Sequence, residues 1–277
     1  VSRLVAAGRD GQAGTTRCSL RPSGVLDQMT PSSTARADYG LDAPGVIAAM
    51  SAIAVVLMVA SVLLLLRHAS HAMISLGASL AWPGASFALA AILMVLSSQF
   101  GKLRARDRLL DRLALAGDEQ LLDIGCGHGL LLIGAAHRLP RGRAVGLDLW
   151  SQKDQLANRA TATMANASAE GVQDRVRVQD GDMRVLPFAD ASMDVVVSSL
   201  AIHNVPGAAD RARAIAEIAR VVKPGGRVAL LDIAHVGTYA RQLRDAGWII
   251  EHEGYTPWIF PPTRELCAVK PTVGLTA

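Results

Sequence analysis

The sequence predicts an α/β protein: a doubly wound sheet with an antiparallel edge strand, preceded by an α-helical hairpin long enough to cross a bilayer. Three observations carry this. From residue 120 onward, short aliphatic runs alternate with amphipathic helical stretches, the pattern of strands and crossover helices with both sheet faces covered. The last two runs, 249–257 and 263–271, follow one another with no helix between them, as an antiparallel pair does. Residues 45–66 and 72–98 carry no charge at all.

Each uncharged run suits a transmembrane helix. A stretch of about 22 residues at ~1.5 Å per residue spans a hydrocarbon core of ~30 Å. Neither run has a polar face to give to water, which disfavours two helices buried in a soluble core. Pro83 sits inside the second run, and Ser75, Gly77, Ser79 and Ala81 recur there at four-residue spacing, which permits close helix approach. Only Arg67 marks the intervening turn, whereas Lys102, Arg104, Arg106 and Arg108 follow the second run closely. The positive-inside bias then places both termini and the downstream domain in the cytoplasm, in an integral membrane protein of two spans.

Residues 1–44, rich in Gly, Ser, Thr, Pro and Arg, read as a disordered tail. The first methionine is Met29, so residues 1–28 are expected to lie upstream of the translation start; the intact mass of the endogenous protein tests this. Residues 99–118 form an amphipathic basic linker helix, its arginines resting on anionic head groups or serving simply as the first helix of the domain. Leu103, Leu110 and Leu113 share its apolar face, with Leu109 adjoining. The domain itself is expected over 119–277. Net charge is +4, too mild to imply nucleic acid. Cys18, Cys126 and Cys267 are too scattered for a disulfide framework or a zinc site.

Within the domain, 120–125, 143–149, 176–182, 193–201 and 227–233 read as strands. Residues 130–139, 152–169, 208–222 and 238–248 read as helices. In such sheets a ligand sits beyond the carboxyl ends of the strands, where the strand order reverses. There the first strand runs into Asp123-Ile124-Gly125-Cys126-Gly127-His128-Gly129, a bare backbone turning into a helix. Asp148 ends the second strand, about 25 residues after Asp123, placed to accept hydrogen bonds from ribose hydroxyls. The spacing G-x-G-x-G, preceded by an aspartate, differs from the G-x-G-x-x-G that seats a pyrophosphate on a helix N-terminus. A carboxylate beside the loop repels pyrophosphate and suits an ammonium or sulfonium charge.

At these residues the chain resembles the class I S-adenosylmethionine-dependent methyltransferases, over about residues 105–270. "LLDIGCGHG" resembles the family's first motif and "GLDLW" its acidic motif. "DGDMRVLPFADASMDVVVSSLAIHNV" resembles the next two, and "IARVVKPGGRVALLDI" the one after. The pattern is most similar to the small-molecule enzymes of menaquinone and ubiquinone synthesis. The resemblance implies a Rossmann-like sheet with S-adenosyl-L-methionine as cofactor. It puts Gly125, Cys126, Gly127 and Gly129 along the methionine part, with Asp123 near the amino group. Asp148 and Leu149 lie at the ribose, and Asp182 and Met183 at the adenine. Ser199 and Leu200 border the methyl group. Trp150 either packs on the adenine edge or covers core, and Asp182 is alternatively a plain turn aspartate.

Methyl transfer from a sulfonium needs alignment, water exclusion and, for a protonated nucleophile, a base. His203, just beyond the fourth strand, is the best-placed base, or else a strand-end cap. Asn204, His235 and Tyr239 are candidates for substrate contact along with His203. His128 is read as a spacer on the cofactor side. The segment 254–262, "GYTPWIFPP", either overhangs the pocket or is merely a hairpin turn. The fourth-strand motif "SSLAIHN" is unlike the Asn/Asp-Pro-Pro-aromatic tetrad of DNA-amino methylation, and no cysteine cluster supports a metalloid acceptor. The expected function is methyl transfer to a small or lipid-like acceptor at the cytoplasmic face of a membrane, with no metal. The alternative is a cofactor-sensing or scaffolding membrane protein without turnover.

Overall fold

The computed structural model describes residues 36–67, 70–151 and 158–272. The expectations for residues 1–35, Cys18 and Met29 included, lie outside the described residues, as do those for 68–69, 152–157 and 273–277. Residues 36–43 correct the reading of a disordered tail reaching to 44: they pack on the domain, and Tyr39 is buried among its core side chains.

Two long helices follow, Pro44–Arg67 (α1) and His71–Leu96 (α2). By length and composition both qualify as membrane spans. Their mutual seam is narrow. Ile47, Ala54 and Ser61 are the buried residues of α1, and Gly77, Gly84 and Ala91 those of α2, each set spaced seven apart. A seven-residue repeat is the seam of two helices winding left-handedly about each other. Close approach is real at this seam: a side-chain carbon at Gly84 would sit 3.0 Å from Met58, and Ser61 Oγ donates to Gly77 O at 2.7 Å. Of the residues expected to allow close approach, Gly77 is at the seam, whereas Ser75 and Ser79 are exposed. Ser79 Oγ instead bonds Ser75 O within its own helix, on an exposed face.

After α2 the chain passes through one wide π-turn, Ser97–Gly101, straight into helix α3, Lys102–Arg112. The separate linker expected over 99–118 is in fact a continuation of the second apolar helix. Its face of Ala105, Leu109 and Leu110 is fully buried against the domain. Arg112 reaches Glu265 (3.4 Å), and Arg104 and Arg108 lie over the Trp258 ring.

The sheet has seven strands: Gln120–Ile124 (β1), Arg143–Asp148 (β2), Val176–Asp180 (β3), Met193–Ser199 (β4), Val222–Asp232 (β5), Ile249–Thr256 (β6) and Thr263–Val269 (β7). Their order is β3-β2-β1-β4-β5-β7-β6. β7 is antiparallel to both neighbours, so it lies one place inside the edge, and β6 forms the edge itself. The expected antiparallel pair at the sheet edge is present, with β6 outermost. The reason is covalent: a short turn lets β7 double back on β6, and β7 pairs with β5 along the apolar run Leu266–Ala268.

Successive strand residues feed opposite cores. Leu121 points into one layer with Leu109, Leu131 and Ile133, and Leu122 into the other with Ile215, Ile218 and Leu243. Burial on both faces explains why these strands read as unbroken aliphatic runs rather than alternating ones. The helices of the first layer include Leu130–Arg138 (α4) and Ala160–Ala169 (α5); those of the second are Ala208–Val221 (α6) and Val236–Asp245 (α7). Arg159 is extended, so α5 begins later than the helix expected from 152. The order reverses between β1 and β4, which puts the crevice beyond the ends of these two strands.

Candidate active site

The loop after β1 is held by backbone bonds to the end of β2. Gly125 N and Cys126 N both donate to Leu147 O, at 2.7 and 3.3 Å. Gly125 has φ +70°, and a Cβ there would collide with the Ala201 methyl group. That glycine is demanded as much by the approach of the loop after β4 as by any ligand. Gly129, at φ +87°, would likewise press a Cβ on Thr163 and Ile133. Asp148 organises the same loop: its Oδ2 accepts from Gly127 N (2.8 Å), and Oδ1 from Trp150 N (2.6 Å) and Asn158 Nδ2 (3.3 Å). Asp123 is buried beneath it and accepts from Leu132 N in the first turn of α4 (2.9 Å). Burial pushes its carboxyl up to about 8, with the nearby Asp148 adding to the shift and the Leu132 bond opposing it. Burial also raises the Cys126 thiol.

A cavity of about 470 Å³ opens over this loop, within the ~300–1,000 Å³ usual for small-molecule sites. Its lining gathers most of the expected residues. Asp123, Gly125, Cys126 and Gly127 come from the glycine loop, Asp148 and Leu149 from the end of β2, and Asp182 and Met183 from beyond β3. Ser199 and Leu200 close the far side, with His203 and Asn204 after them. Gly129, already inside the turn into α4, is not part of the wall.

Three expected residues stand elsewhere. Trp150 turns away from the cavity: its indole N–H bonds Asp180 at 2.5 Å and its ring packs on the first core layer, which selects the core-covering reading. Tyr239 is buried in the second core layer, because it shares the inward face of α7 with Val236, Ala240 and Leu243. His235 caps the start of α7 in a left-handed conformation, exposed and on a different depression from the cavity. Asp182 lines the cavity as expected, but its carboxylate already receives Arg184 through Nε (2.9 Å) and Nη2 (2.6 Å). That pairing holds its pKa below the usual carboxylate value.

The residues present fit S-adenosylmethionine. Asp123 and Asp148 supply carboxyl groups where a cationic ligand would lie, and Met183 offers an apolar surface. Both ring nitrogens of His128 are buried at the cavity wall with no hydrogen-bond partner among the described residues, capacity for a polar ligand group.

His203 sits in a single turn of 3-10 helix, Ile202–Asn204, directly after β4. Its Nδ1 lies 2.5 Å from Oδ1 of Asp232, off the line of a well-directed hydrogen bond. Its backbone N–H donates to the other carboxylate oxygen at 3.0 Å. Asp232 is 2% exposed and ends β5, held further by Ile233 N (2.8 Å). Nε2 is the ring nitrogen left unengaged by Asp232. Sequence reasoning missed Asp232, although an aspartate closing the aliphatic run "RVALLD" was a usable signal. It also missed Tyr39, Asp42, Ala43 and Lys102, which complete the cavity wall and have no local signal. Of the segment 254–262, residues 254–256 end β6 and 257–262 form the turn into β7, and Pro261 borders the cavity.

Residues 122–230 match the family described as "Methyltransferase domain". The chain is 37% identical over 143 residues to 27-O-demethylrifamycin SV methyltransferase of Amycolatopsis mediterranei (strain S699), covering 52% of this chain and 49% of that protein. It is 34% identical over 157 residues to a ubiquinone/menaquinone biosynthesis C-methyltransferase of Dinoroseobacter shibae (strain DSM 16493 / NCIMB 14021 / DFL 12), covering 57% and 56%. The chain thus spans about half the length of these curated relatives. A solved structure of geranyl diphosphate methyltransferase in complex with S-adenosylmethionine superposes with a TM-score of 0.52 at 17% identity, covering 67% of this chain and 89% of that one, a likeness of fold. The segment 122–230 is accordingly similar to methyltransferase domains.

Proposed function

We propose that the chain is a membrane-anchored methyltransferase acting on a small or lipid-like acceptor at the cytoplasmic face of a bilayer. One observation carries the reading. The cavity that gathers the cofactor residues is also walled by Asp42-Ala43 and Lys102, the residues flanking the root of the apolar hairpin. An acceptor dissolved in the bilayer would meet the cavity where the hairpin enters the domain. Along that hairpin Val55, Val56, Leu63 and Leu66 are exposed, a surface suited to acyl chains rather than water. The bias of Lys102, Arg104, Arg106 and Arg108 over the single Arg67 supports a cytoplasmic domain.

When bound, S-adenosylmethionine supplies an activated methyl group on a sulfonium. The chain contributes position and proton handling. The glycine loop and Asp148 hold one end of the site, and Leu200 and Ala201 close it against water. His203 Nε2 takes the proton from an acceptor hydroxyl as the oxygen–methyl bond forms and the carbon–sulfur bond breaks, its electron pair passing to sulfur. Asp232 fixes the imidazole ring and stabilises its cationic form, since the buried carboxylate faces Nδ1.

The test is methyl transfer from labelled S-adenosylmethionine into membrane-lipid extracts and, separately, cytosolic metabolites, with alkaline extraction of membranes to score anchoring. Labelled lipid product and resistance to extraction support the reading. A protein released by alkali, or labelling confined to the soluble fraction, overturns the membrane part and leaves a soluble acceptor.

A further inference from the structure

We propose that residues 36–43 are a strap over the cofactor loop, latched by Lys102, so that the affinity for S-adenosylmethionine depends on how the hairpin is packed. This rests on the cofactor reading above and adds a dependence that the domain motifs do not contain.

The strap precedes α1, and its latch follows α2. Lys102 is 5% exposed, and its ammonium donates to Gly40 O (2.6 Å) and Tyr39 O (3.0 Å), with Asp42 Oδ1 at 3.3 Å. A lysine buried this deeply is tolerated only because those oxygens replace its water. Asp42 is tied a second time, its N–H donating to Ser98 Oγ in the π-turn (2.8 Å). Both ends of the helical hairpin are therefore joined through the Lys102 ammonium, which lines the cavity, and the Ser98 hydroxyl.

The strap also grips the glycine loop. Asn166 of α5 exchanges two bonds with Asp38, accepting from its N–H (2.9 Å) and donating to its carbonyl (2.8 Å). The same amide nitrogen donates to His128 O (2.9 Å), so one side chain staples strap and loop together. Tyr39 bonds Glu170 at 2.5 Å and forms part of the cavity wall. Gly40, at φ +70°, lies against the His128 ring; a Cβ there would stand 3.0 Å from Nδ1. Loosening the strap therefore opens the cavity beside His128 and releases the turn that carries Gly127. Linkage requires the converse as well: a bound cofactor must hold the strap down.

The experiment uses the full chain in detergent. S-adenosylhomocysteine affinity is measured by calorimetry for wild type, Lys102→Met, Lys102→Arg and Gly40→Val. Tryptic cleavage after Arg36 is followed with and without that ligand. Loss of the charge-assisted bonds is expected to weaken binding about tenfold to a hundredfold in Lys102→Met, with part of the affinity recovered in Lys102→Arg. Gly40→Val, which keeps the Lys102 side chain but strains the φ +70° position of the strap and serves if Lys102→Met fails to fold, is expected to weaken binding similarly. The ligand is expected to slow cleavage after Arg36 in wild type and much less in the variants. Wild-type affinity in Gly40→Val and in folded Lys102→Met, or cleavage indifferent to bound ligand, overturns the strap. Absence of binding by wild type itself overturns the cofactor reading instead.

Discussion

The hairpin and the α/β domain are both rich in aliphatic side chains, yet they use them in opposite ways. In the domain, Leu122 is fully buried between sheet and helices; in the hairpin, Val56 is 66% exposed. The hairpin hides only a seam of mostly small residues every seventh position, and the domain hides most residues of β1, β2, β4, β5 and β7. What differs is how the aliphatic surfaces are packed. Apolar burial drives the domain together because water is outside it. The hairpin associates through close backbone contact, as at Gly77 and Gly84, which is how a helix pair in lipid would associate, since lipid offers no gain from that term.

The sharpest way to break the comparison is at the chemistry, which belongs to the domain alone. Asp148→Ala should abolish measurable S-adenosylhomocysteine binding in calorimetry, since the carboxylate also holds the Gly127 turn. His203→Ala should lower kcat by about 10²–10⁴ while leaving ligand affinity near wild type. Asp232→Asn should lower kcat by less and shift its pH profile, because the base remains but loses its anionic partner. A His203→Ala variant with full activity would falsify the assignment of the base.

The next largest effect contrasts the two aliphatic surfaces directly. Leu122→Ala should cost about 2–5 kcal/mol of domain stability, read from denaturant melts. Val56→Ala should leave domain stability unchanged, whereas Val56→Arg should impair membrane retention in alkaline extraction. Equal melting shifts for Leu122→Ala and Val56→Ala would mean that the hairpin packs as a soluble core does.

A smaller effect links the regions. Gly84→Leu places bulk where a Cβ alone would already stand 3.0 Å from Met58, and should splay the hairpin. If the strap couples hairpin to cavity, affinity for S-adenosylhomocysteine falls severalfold although position 84 is outside the cavity wall.

The smallest effect is a pH dependence confined to the domain. Burial raises the Asp123 carboxyl to about 8, so folding favours its protonated form. Its stabilising contribution is complete below the ordinary carboxyl value and is lost as pH rises through about 8. A cationic ligand favours the ionised form, so S-adenosylmethionine should bind more tightly towards pH 8 and release protons on binding near neutrality. Calorimetry in buffers of differing ionisation enthalpy reads those protons, and Asp123→Asn should abolish the dependence.

Much of the domain was legible because its signals are local. Alternating aliphatic and helical runs placed the parallel strands, and the glycine spacing after Asp123 placed the loop, since each is a property of neighbouring residues. The heptad seam was legible only in hindsight: Gly77, Gly84 and Ala91 are small, but so are Ser75, Ser79 and Ala81, and composition alone does not say which face meets α1. His235 and Tyr239 stand off the cavity wall for a related reason. Position after a strand says where the backbone goes, but side-chain direction is set by what each neighbouring element buries.

By itself the sequence determined the periodicities: two uncharged helices, a doubly wound sheet and a glycine loop flanked by Asp123 and Asp148. Only the tertiary structure decided which distant groups share the cavity. His203 meets Asp232 because parallel β4 and β5 end side by side, and Lys102 meets Tyr39 because α1 and α2 return the chain to its starting point. Contacts of that kind depend on the long-range closure of the chain, for which no short window of sequence carries a signal.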